Sequence, residues 1–449
     1  MQRRILIIIL TAYILLAVIY SFATPLWEAP DEPSHYLYIQ HLATYGSLPP
    51  PAPPPKGRFF EHGYATSLYE WYQPPLYYAL VAPQTALVKA LRPDTFPQTF
   101  PPINPTFGKG GINLFDAPPD RTIGSLLLAP GPRMARLFSI LLGLLTLLAT
   151  YRLALTVSPS DDILALTATG FLAFIPQFTF ITGYITNDNL ADLMSTLCLL
   201  AYAALITRPN ARGNRQVFGA GLLVSLALLT KLSLLFLLPL GILCLLWRAT
   251  QHRSFAQWVK ESALFTCTAL SLPILGLALL PDMQTQLAFA NMSLQPHPRF
   301  LSIQHIGSLW TSTHTSFWGR FGWMNVATPE WIANTMDLIA LVGLSGSVYL
   351  LVHGNTEEGK DRSPRQTIIL LWVTCCLVLI GFIRFNLSTN QPQGRLLFPA
   401  LSAFAILVSQ GLLHLAGRRF RWAVGFGLVI LTLGVNLVSL FGSQMPAYD

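Results

Sequence analysis

Long apolar runs separated by short polar breaks organise this chain. A helix needs about 20 apolar residues to cross the hydrocarbon of a bilayer. Eleven runs meet or approach that length, at 5–23, 134–157, 162–183, 189–207, 217–230, 232–247, 262–281, 331–352, 367–385, 396–416 and 423–441. The pattern predicts an all-α polytopic membrane bundle of about 11 transmembrane helices. The fifth and sixth runs are short and flank Lys231, which predicts a tight or broken helical pair. Two more helices are predicted outside the spans. Pro33 suits a first helical position and Gly46 a helix end, so one helix is expected from Pro33 to Tyr45, with aromatic residues fit for the headgroup layer. Pro74 and Pro75 open the other, at about 75–91, too short to span.

Composition agrees with this pattern. The chain is 52% hydrophobic and 11% charged, against about 25% charged in an average soluble domain. We read 1–449 as a single transmembrane domain with a long first outer loop, 24–132, and a second large outer segment, 282–330. The first loop holds 21 of the 34 prolines, and its run from Pro49 to Pro55 favours polyproline II over packed helix. The net charge of +8 does not indicate a nucleic-acid partner, because no basic run exceeds two residues. With the N-terminus in the cytoplasm, 15 Lys and Arg fall on inner segments and 5 on short outer ones, the bias expected of short loops. The first apolar run follows Arg3 and Arg4, but Trp27-Glu28-Ala29-Pro30 is a poor cleavage site, so an uncleaved first helix is expected. The five cysteines all lie in apolar spans without metal-ligand spacing.

The chemically promising residues fall on the outer side. Glu28, Asp31, Glu32 and His35 cluster just after the first span, where carboxylates repel one another unless a cation, a proton or a basic partner intervenes. They suit a base or a metal site; a helix cap balancing the dipole is the plainer alternative. Glu70-Trp71-Tyr72-Gln73-Pro74-Pro75 leads into the aromatic-rich helix at about 75–91, with Tyr72 and Gln73 as candidate substrate contacts; an interfacial anchor is the plainer alternative. Thr186-Asn187-Asp188-Asn189 places an acid near the membrane plane, where it needs a partner or serves as a helix cap. Lys231 either snorkels to the surface or holds a phosphate at the membrane edge. Trp318 and Arg320, within Phe317-Trp318-Gly319-Arg320-Phe321-Gly322-Trp323, suit a sugar ring or a diphosphate, or else an aromatic belt. Gln393-Gly394-Arg395 offers donors for an anion at a helix start, or a partner for a nearby acid.

Taken in order, these motifs resemble the GT-C superfamily of polytopic glycosyltransferases, which includes protein O-mannosyltransferases, aminoarabinose transferases and oligosaccharyltransferases. The resemblance runs along most of the chain. It rests on the acidic pair Asp31-Glu32, the Pro74-Pro75-Leu76-Tyr77-Tyr78 helix start, Arg136-Leu137-Phe138-Ser139 and Thr230-Lys231-Leu232-Ser233. Pro30-Asp31-Glu32-Pro33-Ser34-His35, the Trp318–Arg320 motif and Gln393-Gly394-Arg395 are similar to a bacterial branch designated domain of unknown function 2142. The stretch at about 92–132 has no counterpart in these families. The resemblance implies a GT-C-like fold in the bacterial inner membrane. It also implies transfer of a hexosyl or pentosyl unit from a polyprenyl-phosphate-linked donor to a glycan, lipid or protein acceptor on the extracytoplasmic face. Asp31 would be the base. Glu32, His35 and Asp188 would orient it or, with Asp31, hold a divalent cation, Mg²⁺ or Mn²⁺. Lys231, Arg395 and Arg320 would face the donor phosphate, and His35, Tyr72, Gln73, Trp318 and Gln393 the substrates. A lipid or glycan flippase and a non-catalytic scaffold of the same fold are the competing classes.

Overall fold

A computed structural model describes residues 2–51, 67–95, 100–116, 129–207, 213–252, 254–293, 303–353 and 363–448. The elements in chain order are α1 (Gln2–Ala23), α2 (Glu32–Tyr45), α3 (Leu76–Leu91), α4 (Pro130–Val157), α5 (Asp162–Ala173), α6 (Pro176–Thr182), α7 (Asp188–Thr207) and α8 (Gly213–Leu228). They continue with α9 (Leu237–His252), α10 (Phe255–Leu279), α11 (Pro281–Ser293), α12 (Ile303–Trp318), α13 (Glu330–His353), α14 (Ser363–Asn386), α15 (Leu401–Leu415) and α16 (Gly417–Ser439). A small antiparallel hairpin, β1 (Arg320–Phe321) and β2 (Val326–Ala327), pairs Arg320 with Ala327 and Phe321 with Val326.

Among the described residues nine helices are long and apolar enough to cross a membrane, and α5 with α6 makes a tenth if that bent pair is one span. The run at 162–183, counted in the sequence as one span, bends by 67° between α5 and α6. Pro176 explains the break, since it has no N–H to donate and its ring clashes with the preceding turn. The carbonyls freed there are met by side chains. Thr179 Oγ1 donates to the Ala173 carbonyl at 3.2 Å, and Asn436 Nδ2 from α16 donates to the Phe174 carbonyl at 3.1 Å. In lipid such replacement is required, because no water can satisfy the backbone.

The short pair around Lys231 is α8, then a 3₁₀ turn at Leu232–Phe236, then α9. At 16 residues α8 is about 24 Å long. It nevertheless runs back along α7, because Lys231, just past its end, meets Asp188 at the start of α7. The most enclosed spans are α4, α7 and α15. They are stitched by hydroxyls: Ser402 Oγ lies 2.8 Å from both Thr150 Oγ1 and Thr196 Oγ1. Helices α13 and α15 touch through small residues. A Cβ built on Gly411 would stand 1.7 Å from the Gly343 carbonyl oxygen, so only glycine permits this approach.

The polar cluster after α1 sits at one end of the bundle with the starts of α2, α4, α7 and α15. Outside the bundle, residues 100–116 form a small lobe closed by the bridges Ile103–Phe115 and Phe107–Gly111. The Glu28 carboxylate pins it by accepting the Leu114 and Phe115 N–H groups, each at 2.9 Å. Burial pushes the Glu28 carboxyl up to about 7, against the pull of those two N–H groups. Residues 52–66, 96–99 and 117–128, hence much of the proline-rich run and of the stretch at about 92–132, lie outside the described residues.

Candidate active site

Asp31 precedes α2 in a left-handed backbone conformation, φ 65° and ψ −3°. Few residues tolerate this region, and Asp and Asn are among them. The turn lets Pro33 start the helix while the Asp31 carboxylate projects out of it. Its Oδ2 pairs with Arg395 Nη2, and its Oδ1 accepts a 2.6 Å hydrogen bond from the Tyr69 hydroxyl. Asp31 remains 22% exposed, so the carboxylate can still be reached. Burial would raise its pKa, but Arg395, with His35 and Tyr69, outweighs that and holds the carboxyl below the usual carboxylate range.

Arg395 is the hub. It begins the 3₁₀ turn Gly394–Ala400 that leads into α15. Besides Asp31, it donates to Tyr184 Oη at 3.0 Å and to Gln393 Oε1 at 2.6 Å, and its Nη1 lies 3.5 Å from Asp188 Oδ2. Asp188 in turn pairs with Lys231 through Oδ1. Asp31, Arg395, Asp188 and Lys231 thus form one chain of alternating charge, assembled from four separate parts of the sequence. The side chains of Asp188 and Arg395 are almost enclosed, and that of Lys231 is 18% exposed.

His35 stands one turn into α2, with Nδ1 2.8 Å from the Tyr78 hydroxyl. Burial lowers its pKa to about 4, more than the nearby Asp31 and Asp188 can offset, so it is neutral at neutral pH. Tyr78 is itself held by a face-to-face stack on Tyr38, at 3.8 Å between centroids. Gln73 lies between two partners: its Nε2 donates to Glu70 Oε2 at 2.7 Å, and its Oε1 accepts from Asn187 Nδ2 at 3.2 Å. Tyr72 packs against Phe289 of α11, 5.1 Å between centroids.

Three of the expected site residues are placed elsewhere. Glu32 turns away from Asp31 and forms a fully buried bidentate pair with Arg136, at 2.7 and 2.6 Å. Its oxygens also accept the Trp27 N–H at 3.0 Å and the Ile185 N–H at 3.2 Å, which leaves no lone pair directed at a substrate. Arg136 completes the clamp on the Thr24 and Pro25 carbonyls, at 2.8 and 3.0 Å. Arg320 closes its own hairpin by donating from Nε to the Met324 carbonyl at 2.6 Å. Trp318 is 1% exposed and gives its indole N–H to Asp337 at 2.6 Å, so it lies in the core rather than on a substrate wall.

The expected cation ligands do not fit as a set. Asp31 and Asp188 are ion-paired, Glu32 is taken by Arg136 and His35 Nδ1 by Tyr78. Among the described residues no group of three or more His, Cys, Asp or Glu is arranged to hold a metal ion.

Sequence reasoning assigned no site role to several residues that the fold brings in. Glu70, Arg136 and Asn187 each stood in a quoted motif, so a signal existed. Tyr78 likewise stood in the Pro74-Pro75-Leu76-Tyr77-Tyr78 motif, whereas Tyr69 and Tyr184 are ordinary aromatic residues of a membrane chain, and nothing in their spacing marks them.

The family model for dolichyl-phosphate-mannose-protein mannosyltransferase matches residues 63–288, half of the chain. No curated protein sequence matches it significantly. Among solved structures, it is similar to the Archaeoglobus fulgidus oligosaccharyltransferase in complex with Zn and sulfate. Identity there is 12% and the TM-score 0.46, over 96% of this chain and 53% of that one. It is also similar to ArnT from Cupriavidus metallidurans bound to undecaprenyl phosphate, with 14% identity and a TM-score of 0.46, over 98% of this chain and 73% of that one. The chain spans about half the length of the archaeal enzyme.

Proposed function

This chain belongs to the dolichyl-phosphate-mannose-protein mannosyltransferase family, and from that premise we propose that it is a GT-C glycosyltransferase. It takes a sugar from a polyprenyl-phosphate-linked donor and passes it to a hydroxyl of a cell-envelope glycan, lipid or protein, on the extracytoplasmic face of a membrane. The observation that carries the reading is the chain Asp31–Arg395–Asp188–Lys231, which sets an accessible carboxylate beside two cations at one end of the bundle.

The chemistry divides between the two halves of that chain. Asp31 accepts the proton of the acceptor hydroxyl as its oxygen bonds to the anomeric carbon, a contribution of about 10²–10⁴-fold. The bond from that carbon to the phosphate oxygen breaks, and its electron pair leaves with the phosphate. Lys231 and Arg395 then stabilise the charge that develops there, which is often the larger effect. In the resting site Arg395 keeps Asp31 a weak base. A donor phosphate that draws Arg395 to itself strengthens the base when it is needed. The orientation is supported by charge. Arg421 pairs with Asp161, and both line a surface cleft with Gln2, near the basic start of α1 and at the end of that helix away from Asp31.

The test is Asp31→Asn in membranes supplied with a labelled lipid-linked sugar. Asn keeps the left-handed backbone and removes the base, so transfer should fall by about 10²-fold or more while the protein stays folded. Undiminished transfer would remove Asp31 from the role.

A further inference from the structure

We propose, on the basis of the glycosyltransferase reading, that Glu70 balances charge in this site by taking up one proton when a phosphate-bearing lipid enters. The outer part of the site holds three carboxylates and two cations; a fourth acid, Asp192, stands one turn deeper in α7, near Asp188 and Lys231. Asp31 is paired with Arg395 and Asp188 with Lys231. Glu70 is the third acid. Among the described residues no cation stands within ion-pair distance of it; its carboxylate has the amide of Gln73 at 2.7 Å.

The fold keeps Glu70 inside this cluster. Its N–H donates to Ser34 Oγ at 2.8 Å, and the preceding residue, Tyr69, is bonded to Asp31. Through Gln73 and Asn187 it is linked to the residue beside Asp188. The titratable groups that interact with it are Asp31, Lys231, Arg395, Tyr69 and Tyr78. With His35 neutral, the three carboxylates and two cations of the outer part carry one excess negative charge when Glu70 is ionised. A phosphate group adds at least one more in a place with little water, where like charges repel strongly. It also draws Lys231 and Arg395 away from the carboxylates they neutralise. A proton on Glu70 relieves both effects. Burial, followed by repulsion from Asp31, already pushes this carboxyl up to about 7 in the resting site, so the proton is available near neutrality.

The sign follows from linkage. Phosphate binding raises the pKa of Glu70 further, so affinity is flat below about pH 7 and falls as pH rises above it, by up to about tenfold per pH unit. The experiment is calorimetric titration of the full chain in nanodiscs with undecaprenyl phosphate, in buffers of different ionisation enthalpy, against Glu70→Gln and with a polyprenol lacking phosphate as control. Gln preserves the contact with Gln73 but cannot take a proton. Subtracting the variant cancels protonation of the phosphate itself. Wild type should take up as much as one proton more than Glu70→Gln, and only the variant should lose the pH dependence above neutrality. Binding with equal uptake in both overturns the role of Glu70 and leaves the glycosyltransferase reading standing. No binding of the phosphate lipid at any pH overturns both. Should Glu70→Gln fail to fold, isotope-edited infrared spectra of the wild type decide the matter. Addition of the phosphate lipid should convert one glutamate carboxylate to the acid, and an unchanged glutamate signal overturns the proposal.

Discussion

Asp31 and Glu32 are neighbours in sequence, but their carboxylates meet different partners: Asp31 pairs with Arg395 from the 3₁₀ turn before α15, Glu32 with Arg136 from α4. The left-handed turn at Asp31 separates them, because it places one residue before the helix and the next inside it. The two should therefore fail differently when changed. Glu32→Ala leaves the Arg136 guanidinium buried without its counter-charge, a loss of about 3–5 kcal/mol. Its thermal unfolding midpoint in detergent should drop sharply, whereas that of Asp31→Asn should stay near wild type. An acidic pair is visible in the sequence. Its division into a reachable carboxylate and a structural one is not, because the partner of each lies more than a hundred residues away. Lys231 and Arg395 permit a second test of the proposed roles. Lys231→Ala and Arg395→Ala should weaken donor binding by more than acceptor binding, measured as separate dissociation constants; the reverse order would argue against phosphate contact.

At the scale of elements, hydropathy located the spans well because lipid imposes length and apolarity on any crossing helix. It also located α2 and α3, since Pro33, Gly46 and the Pro74-Pro75 pair are strong local signals. The break at Pro176 was missed because the residues on both sides are apolar. The bend persists because Thr179 and Asn436 repair the backbone around it. Close packing of α13 on α15 is likewise silent in hydropathy. Gly411→Val would force a side chain into the Gly343 carbonyl and should destabilise the protein by about 1–3 kcal/mol, read as a lower unfolding midpoint in detergent. The same substitution at Gly427 of α16, where nothing lies within 4 Å of the added Cβ, should have little effect.

For the whole molecule, the proposed sidedness can be checked directly. In a background with the native cysteines replaced, a cysteine at Lys109 in the 100–116 lobe should react with an impermeant thiol reagent in intact cells. One at Arg418 should react only after the membrane is opened. The opposite result would put the candidate active site on the other face. By itself, the sequence determined that this is a helical membrane protein, roughly where its helices run and which polar residues stand out against the lipid-facing background. Those properties follow from the solvent, which acts on every residue through its own side chain. Tertiary structure alone decided which of those residues meet. It joined Asp31 to Arg395 and Asp188 to Lys231, sent Glu32 to Arg136, enclosed Trp318 and brought Glu70 into the charged cluster. Such pairings depend on how helices far apart in the chain pack, and a one-dimensional pattern of polarity carries no record of that.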